Sequence, residues 1–178
     1  MKQEQRFGGQ EHRQQQLLAP GALYASCMKL APQELRTYLL TAVTAQRRRL
    51  FQVTATAEMF LATVEGYRVK GQFALHAFVV MPEHVHLLLT PAPEVALEKV
   101  AQLIKGGFSF RLKSARDVWE RGYDSRRITD GEHFDVCRRY VEENPVRARM
   151  VALAEEYAHS SRGRNGMVDP KPSWFGQG

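Results

Sequence analysis

Only two cysteines, Cys27 and Cys137, occur among 178 residues. They lie far apart and form no CxxC, which excludes a disulfide-stapled scaffold, a zinc ribbon and a dithiol redox motif; both are expected as reduced, structural thiols. No apolar run approaches the length that crosses a bilayer, and the polar N-terminal stretch lacks the apolar segment of a signal peptide, so a cytoplasmic protein is expected. A Walker-type phosphate loop is also absent, and with it the usual device for nucleotide-driven chemistry. Carboxylates are the minority charge: 19 Asp and Glu stand against 25 Lys and Arg, giving a formal charge of +6 and a sequence pI near 9.5. That balance points to a polyanionic partner such as nucleic acid, with an acidic membrane surface as the weaker alternative.

What is present suffices for one core, since 44% of the residues are hydrophobic and the length suits a single domain. Residues 1–20 carry six glutamines, a Gly pair and mixed charge, and are expected to form a disordered polar tail. Residues 21–161 are expected to form the folded domain. After Tyr157 the composition turns to Ser, Gly, Arg and Pro, so residues 162–178 are expected to be a flexible basic tail, with no docking place evident for Trp174 and Phe175.

The organising stretch is LHAFVVMPEHVHLLLTP, Leu75 to Pro91. Leu75 to Val80 reads as a strand, Met81-Pro82-Glu83 as a turn, and the following residues as a second strand. Strand side chains alternate between faces, so His84, His86 and Leu88 share one face and two imidazoles project together. The alternative is a pair of half-buried structural histidines. Two common metalloenzyme patterns require an Asp-His shortly after the pair or a Glu three or four residues on; Leu87, Leu88, Leu89 and Thr90 stand there instead. Any further ligand must come from elsewhere in the chain.

Around this hairpin, Thr37 to Thr44 reads as a strand that runs into Arg47-Arg48-Arg49, a solvated loop or a phosphate contact. Thr56 to Val69 has helical periodicity, with Thr56 as N-cap and Gly71 as stop. Glu94 to Lys113 reads as a second helix, and Gly106-Gly107 predicts a kink or a close backbone approach. From Lys105 to Arg127, seven cations meet three carboxylates, interleaved with Phe108, Phe110, Trp119 and Tyr123. That pattern suits single-stranded nucleic acid, or else aromatics in the core beneath solvated cations. Asp130 is a helix N-cap, with His133 at the position where a capping box usually has Glu or Gln. The helix it opens carries Tyr140, with Asn144 one turn later and Pro145 complicating the geometry between them. His76 is expected to pack or to hydrogen-bond, and Glu142 and Glu143 to be solvated.

Three segments in order, FVVMPEHVHLLLTP, VWERGYDSRRITD and RRYVEENPVRARMV, resemble the single-tyrosine HUH transposases of the insertion-sequence type, most closely the REP-associated tyrosine transposases. The resemblance covers roughly residues 22–161. It implies an α+β fold, a central antiparallel sheet packed by helices in a ferredoxin-like arrangement. It also implies a metal-dependent nickase and strand transferase that cuts single-stranded DNA near hairpins through a 5′-phosphotyrosyl intermediate. By the same resemblance Tyr140 is the nucleophile, and His84, His86 and Asn144 hold a divalent ion, Mg²⁺ or Mn²⁺. Arg47, Arg48, Lys105, Arg111, Arg126, Arg127, Arg138 and Arg147 are the candidate DNA contacts. The expected partner is single-stranded or hairpin DNA, and a homodimer is compatible with the pattern. Glu83 departs from the Asp or Asn that relatives carry before the histidine pair, and Arg149 replaces a frequent glycine. The competing readings are a domesticated hairpin-binding module without cleavage and, further off, a small metal hydrolase acting on nucleotides. Intact His84, His86, Tyr140 and Asn144 weigh against a pure binder.

Overall fold

The computed structural model describes residues 35–164 and 166–176; the polar tail expected over residues 1–20 lies outside them. Four strands, β1 (Tyr38–Val43), β2 (Phe73–Val80), β3 (His84–Pro91) and β4 (Asp124–Arg127), form one antiparallel sheet in the order β2-β3-β1-β4. Helix α1 (Thr54–Val69) links β1 to β2, α2 (Leu97–Leu112) links β3 to β4, and α3 (Gly131–Glu142) with the single turn α4 (Asn144–Arg147) follows β4. This is the α+β arrangement expected from the sequence. Among the described residues no helix is long and apolar enough to cross a membrane.

Period-two alternation divides the sheet residues between two cores. Leu40, Ala42, Val85, Leu87 and Leu89 pack with Phe60, Val64, Ile104 and Phe108 of α1 and α2. On the other face Ala77, Val79 and Leu88 pack with Phe134, Cys137 and Val141 of α3. Two covered faces explain why β2 and β3 read as nearly continuous apolar runs rather than alternating ones. An irregularity in the β2–β3 pairing falls between Leu75 and Ala77. The extra residue, His76, therefore sends Leu75 to one core and Ala77 to the other. His76 is buried, with Nε2 2.9 Å from Thr90 Oγ1 and its ring against Phe134, so it packs and hydrogen-bonds as expected.

Helix boundaries shift where main-chain bonds outweigh side-chain caps. α1 begins two residues before the expected Thr56, because the carbonyl of Val53 accepts from the amides of Thr56 and Ala57. α2 begins at Leu97 and runs unbroken through both glycines. Gly107 serves a close approach: a Cβ there would lie 2.8 Å from the Tyr67 ring of α1. The Asp130 cap is present, its carboxylate accepting from the His133 amide at 2.8 Å. Where the sequence suggests a capping box, the His133 ring instead reaches Thr129 Oγ1 at 3.2 Å.

Residues 159–161, the end of the expected folded domain, line the free edge of β2, and residues 166–176 of the segment expected to be a flexible basic tail pack beyond them. Ser161 N donates to the Phe78 carbonyl at 2.9 Å, and Val80 N donates to the His159 carbonyl at 2.9 Å. Further on, the Asp169 carboxylate accepts from Leu75 N at 2.7 Å and from Arg68 Nε and Nη2 at 2.9 and 2.7 Å. Lys171 pairs with Asp135 at 2.7 Å, and Phe175 packs on Phe134. Polar composition signals disorder only when nothing distant satisfies the chain. Here an arginine 101 residues away and an unpaired strand edge do so.

Candidate active site

The alternation that builds the two cores also places His84 and His86 on the α3 face of β3, in line with Leu88. Their ring centroids are 4.9 Å apart. α3 crosses this face and sets the Tyr140 ring edge-on to His86, with centroids 5.4 Å apart. Arg147, about two helical turns beyond the tyrosine in sequence, brings its guanidinium carbon 5.2 Å from the Tyr140 ring centre. Asn144 is half-buried at the first position of α4. Glu143 before it keeps right-handed helical dihedrals, so the helical path continues from Tyr140 to Asn144 despite Pro145. The Asn144 side-chain amide makes no hydrogen bond among the described residues.

Thr41 is the site residue that sequence reasoning missed. It stands directly opposite His86 in the β1–β3 register, and its Oγ1 lies 2.8 Å from His86 Nδ1. When Nδ1–H donates to that hydroxyl, Nε2 keeps its lone pair for a ligand. Alternation alone places Leu39, Thr41 and Val43 on one face. Only the pairing register shows which of them meets a histidine.

Burial lowers the pKa of His86 to about 4, with the neighbouring His84 adding a smaller push in the same direction. His84 is lowered too, chiefly by burial; Glu83 opposes that and Arg47 reinforces it. Both imidazoles are therefore neutral at pH 7, the form that binds metal. Among the described residues no three or more His, Cys, Asp or Glu side chains gather as a metal site. Two neutral imidazoles on one face are donors of the type a divalent ion takes, and the amide oxygen of Asn144, one turn beyond Tyr140, is chemically suited to join them. Glu83, at the position where the resemblance has Asp or Asn, is held by Arg47 in a 2.8 Å ion pair.

The candidate DNA contacts separate into distinct places. Arg126 lies on the α3 face of β4, lining with Thr41, His86 and Tyr140 a cleft of about 560 Å³. Arg47 and Arg147 flank the two ends of the His84–Tyr140 cluster. The other five are not brought to this cluster. Lys105, half-buried, donates to the Glu120 carbonyl at 3.0 Å and to that of Gly122, and its ammonium lies over Trp119. Arg48 donates to the carbonyls of Ala45 and Asp117. Arg111 donates to Thr63 Oγ1 of α1 at 3.0 Å. Arg127 pairs in register with Tyr38, on the opposite face of the sheet. Arg138 forms a ladder with Glu142 of its own helix at 3.1 Å.

The aromatics interleaved with these cations are mostly core. Phe108 is buried, Trp119 and Tyr123 pack against the α1–α2 core, and Phe110 alone stands in solvent at 81% exposure. Tyr123 therefore lies on the face away from the histidines. A larger cleft of about 900 Å³, between α3, β2 and the docked C-terminal segment, contains His76 and Lys171 but neither His86 nor Tyr140.

No curated protein matches this sequence. Among solved structures, a REP-associated tyrosine transposase bound to a REP hairpin superposes with a TM-score of 0.64 at 20% identity, covering 80% of this chain and 92% of that one. The likeness is one of fold. A candidate transposase from Deinococcus radiodurans r1 aligns less well, with a TM-score of 0.47 at 22% identity over 61% of this chain and 90% of that one. The model of the IS200-like transposases matches residues 33–144, a span that opens just before β1 and closes on Asn144, so it includes every residue of the histidine and tyrosine cluster. By that match the chain belongs to the IS200-like transposase family.

Proposed function

We propose that this transposase nicks and rejoins single-stranded DNA at hairpin sequences resembling REP elements, with Tyr140 as nucleophile and a divalent ion held by His84, His86 and Asn144. The observation that carries the reading is the edge-to-face row of His84, His86 and Tyr140, with successive ring centroids 4.9 and 5.4 Å apart, on one face of the sheet. A nucleophile beside two neutral imidazoles has no evident structural purpose, since a core tyrosine would be equally well served by Leu or Phe neighbours. The ion, Mg²⁺ or Mn²⁺, would polarise the scissile phosphate and offset its charge.

The chain's own residues supply the rest. Tyr140 Oη attacks phosphorus, the P–O3′ bond breaks, and the departing strand keeps a 3′-hydroxyl while the 5′-phosphate stays on the tyrosine. The phenolic proton leaves the tyrosine as the bond forms, and a proton is taken up by the 3′-oxygen. Arg147, its guanidinium carbon 5.2 Å from the Tyr140 ring centre, is placed to donate to oxygens of the phosphate that Tyr140 attacks. A second 3′-hydroxyl reverses the step on a new strand. One phosphodiester is exchanged for another at nearly equal energy, so no nucleotide triphosphate is consumed.

The test is a denaturing gel with 3′-labelled hairpin DNA, protein and Mn²⁺. The wild type should give a protein-linked product and Tyr140→Phe none, with both equally folded by circular dichroism. An adduct that persists in Tyr140→Phe would move the nucleophile elsewhere. If neither protein makes it on hairpins from the source genome, the chain is a hairpin-binding module instead.

A further inference from the structure

The cleft beside Tyr140 contains a charge that phosphate chemistry does not use. In the antiparallel register His86, Thr41 and Asp124 form one row across β3, β1 and β4, and Leu88, Leu39 and Arg126 form the next row on the same face. Asp124 and Arg126 both line the cleft of about 560 Å³ that holds Tyr140. That volume is in the range of small-ligand pockets. Neither side chain makes a hydrogen bond or an ion pair among the described residues, although each has an opposite charge two positions away along the strand.

An unpaired carboxylate on a chain of net charge +6 is out of place if the cleft takes only phosphate, which it would repel. What belongs against Asp124 is a group rich in N–H donors, and on a single strand that group is an unpaired nucleobase edge. Arg126, two residues along and so about 7 Å away, offers a fork of donors to acceptors on the same object. Of the four bases, guanine alone presents two adjacent donors, N1–H and N2–H, next to the acceptor pair O6 and N7. Cytosine and adenine each present one amino group, and thymine none. On α3 the side chain of Val136 is 53% exposed and lines the same cleft, an apolar wall for the face of a ring.

We infer that the cleft between β4 and α3 is a guanine-reading subsite for the nucleotide next to the phosphate attacked by Tyr140. Asp124 accepts from N1–H and N2–H, and Arg126 donates to O6 and N7. The inference rests on the reading of this face as a single-stranded DNA site, and deepens it by naming a base.

Fluorescence anisotropy in EDTA tests it apart from metal and cleavage, using the full chain and a labelled fifteen-residue oligothymidylate with one central dG, inosine, dA, dC or dT. The dG oligonucleotide should bind about tenfold tighter than the all-thymidine one, with inosine, which lacks the 2-amino group, between them. Asp124→Ala should bring the dG-to-dT ratio to about one. Asp124→Asn, whose amide suits adenine N6 and N7, should move the preference to dA. Equal affinity for all five, tightest binding of dC, or a dG preference that survives Asp124→Ala overturns the subsite and leaves the DNA reading standing. Failure to bind any of the five while hairpin DNA binds in the same buffer overturns the subsite alone, and failure to bind hairpin DNA as well overturns both.

Discussion

The Thr41 hydroxyl and Nδ1 of His86 meet at 2.8 Å across the β1–β3 pair, joining two residues 45 positions apart in the chain. A hydroxyl that fixes the tautomer of a ligating imidazole typically matters about 10- to 100-fold in metal affinity. Thr41→Val keeps the shape and the strand preference but removes the oxygen. Calorimetric titration with Mn²⁺ should show a Kd raised by about that factor, and Thr41→Ser should recover most of it. An unchanged Kd in Thr41→Val would mean that Nδ1 needs no partner for binding.

His84→Ala should remove most of the Mn²⁺ binding outright, because it leaves a single imidazole on the strand. Asn144→Ala should weaken binding less, since an amide oxygen is the poorer donor. A calorimetric signal that survives intact in His84→Ala would place the ion elsewhere.

Burial lowers His86 to about 4 and also lowers His84 and His76, whereas in the unfolded chain each titrates near 6.5. Between those values the unfolded chain binds protons that the folded chain refuses, so stability is full above pH 6.5 and falls as pH drops toward 4. His86 alone accounts for a loss of about 3 kcal/mol over the whole window. Urea midpoints should therefore be lower at pH 5 than at pH 7, and His86→Gln should flatten the dependence. Identical midpoints at the two pH values would mean that these rings are protonated as readily folded as unfolded.

The docked C-terminal segment should be a stabilising part of the fold. Asp169→Ala leaves the half-buried Arg68 guanidinium with Glu65 alone and the Leu75 amide without its acceptor, a loss of about 1–2 kcal/mol. Hydrogen exchange at the Leu75 amide should accelerate in the same variant. Wild-type protection there would mean that the segment detaches in solution without consequence.

Cations free to meet phosphate differ from those already engaged. Binding to hairpin DNA should weaken with salt, and Arg147→Gln should make the slope of log affinity against log salt shallower by about 0.7 to 1. Lys105→Ala should leave the slope unchanged and lower stability instead, because its ammonium is bonded to the Glu120 and Gly122 carbonyls. A slope that changes equally in both variants would return Lys105 to the DNA interface.

The sequence by itself determined what is local. Alternation set His84 and His86 on one face of a strand, the proline between Met81 and Glu83 set the turn before it, and the Asp130 cap set the start of the helix that carries Tyr140. These features depend on neighbours within a few residues, so they are legible without the fold. What lies across the sheet or across the chain was decided only by the tertiary structure. Strand register chose Thr41 to meet His86 and put Asp124 and Arg126 into the cleft with Tyr140, while Arg127 turned to the opposite face. Packing took Phe108, Trp119 and Tyr123 into the core and engaged Lys105, Arg48 and Arg111 in internal bonds, although a run of cations and rings reads the same on the page whether it faces DNA or protein. Residues 166–176 look unstructured by composition because their partners, Arg68, the β2 edge and Phe134, belong to distant parts of the chain. A local signal cannot record a bond that exists only once the sheet has formed.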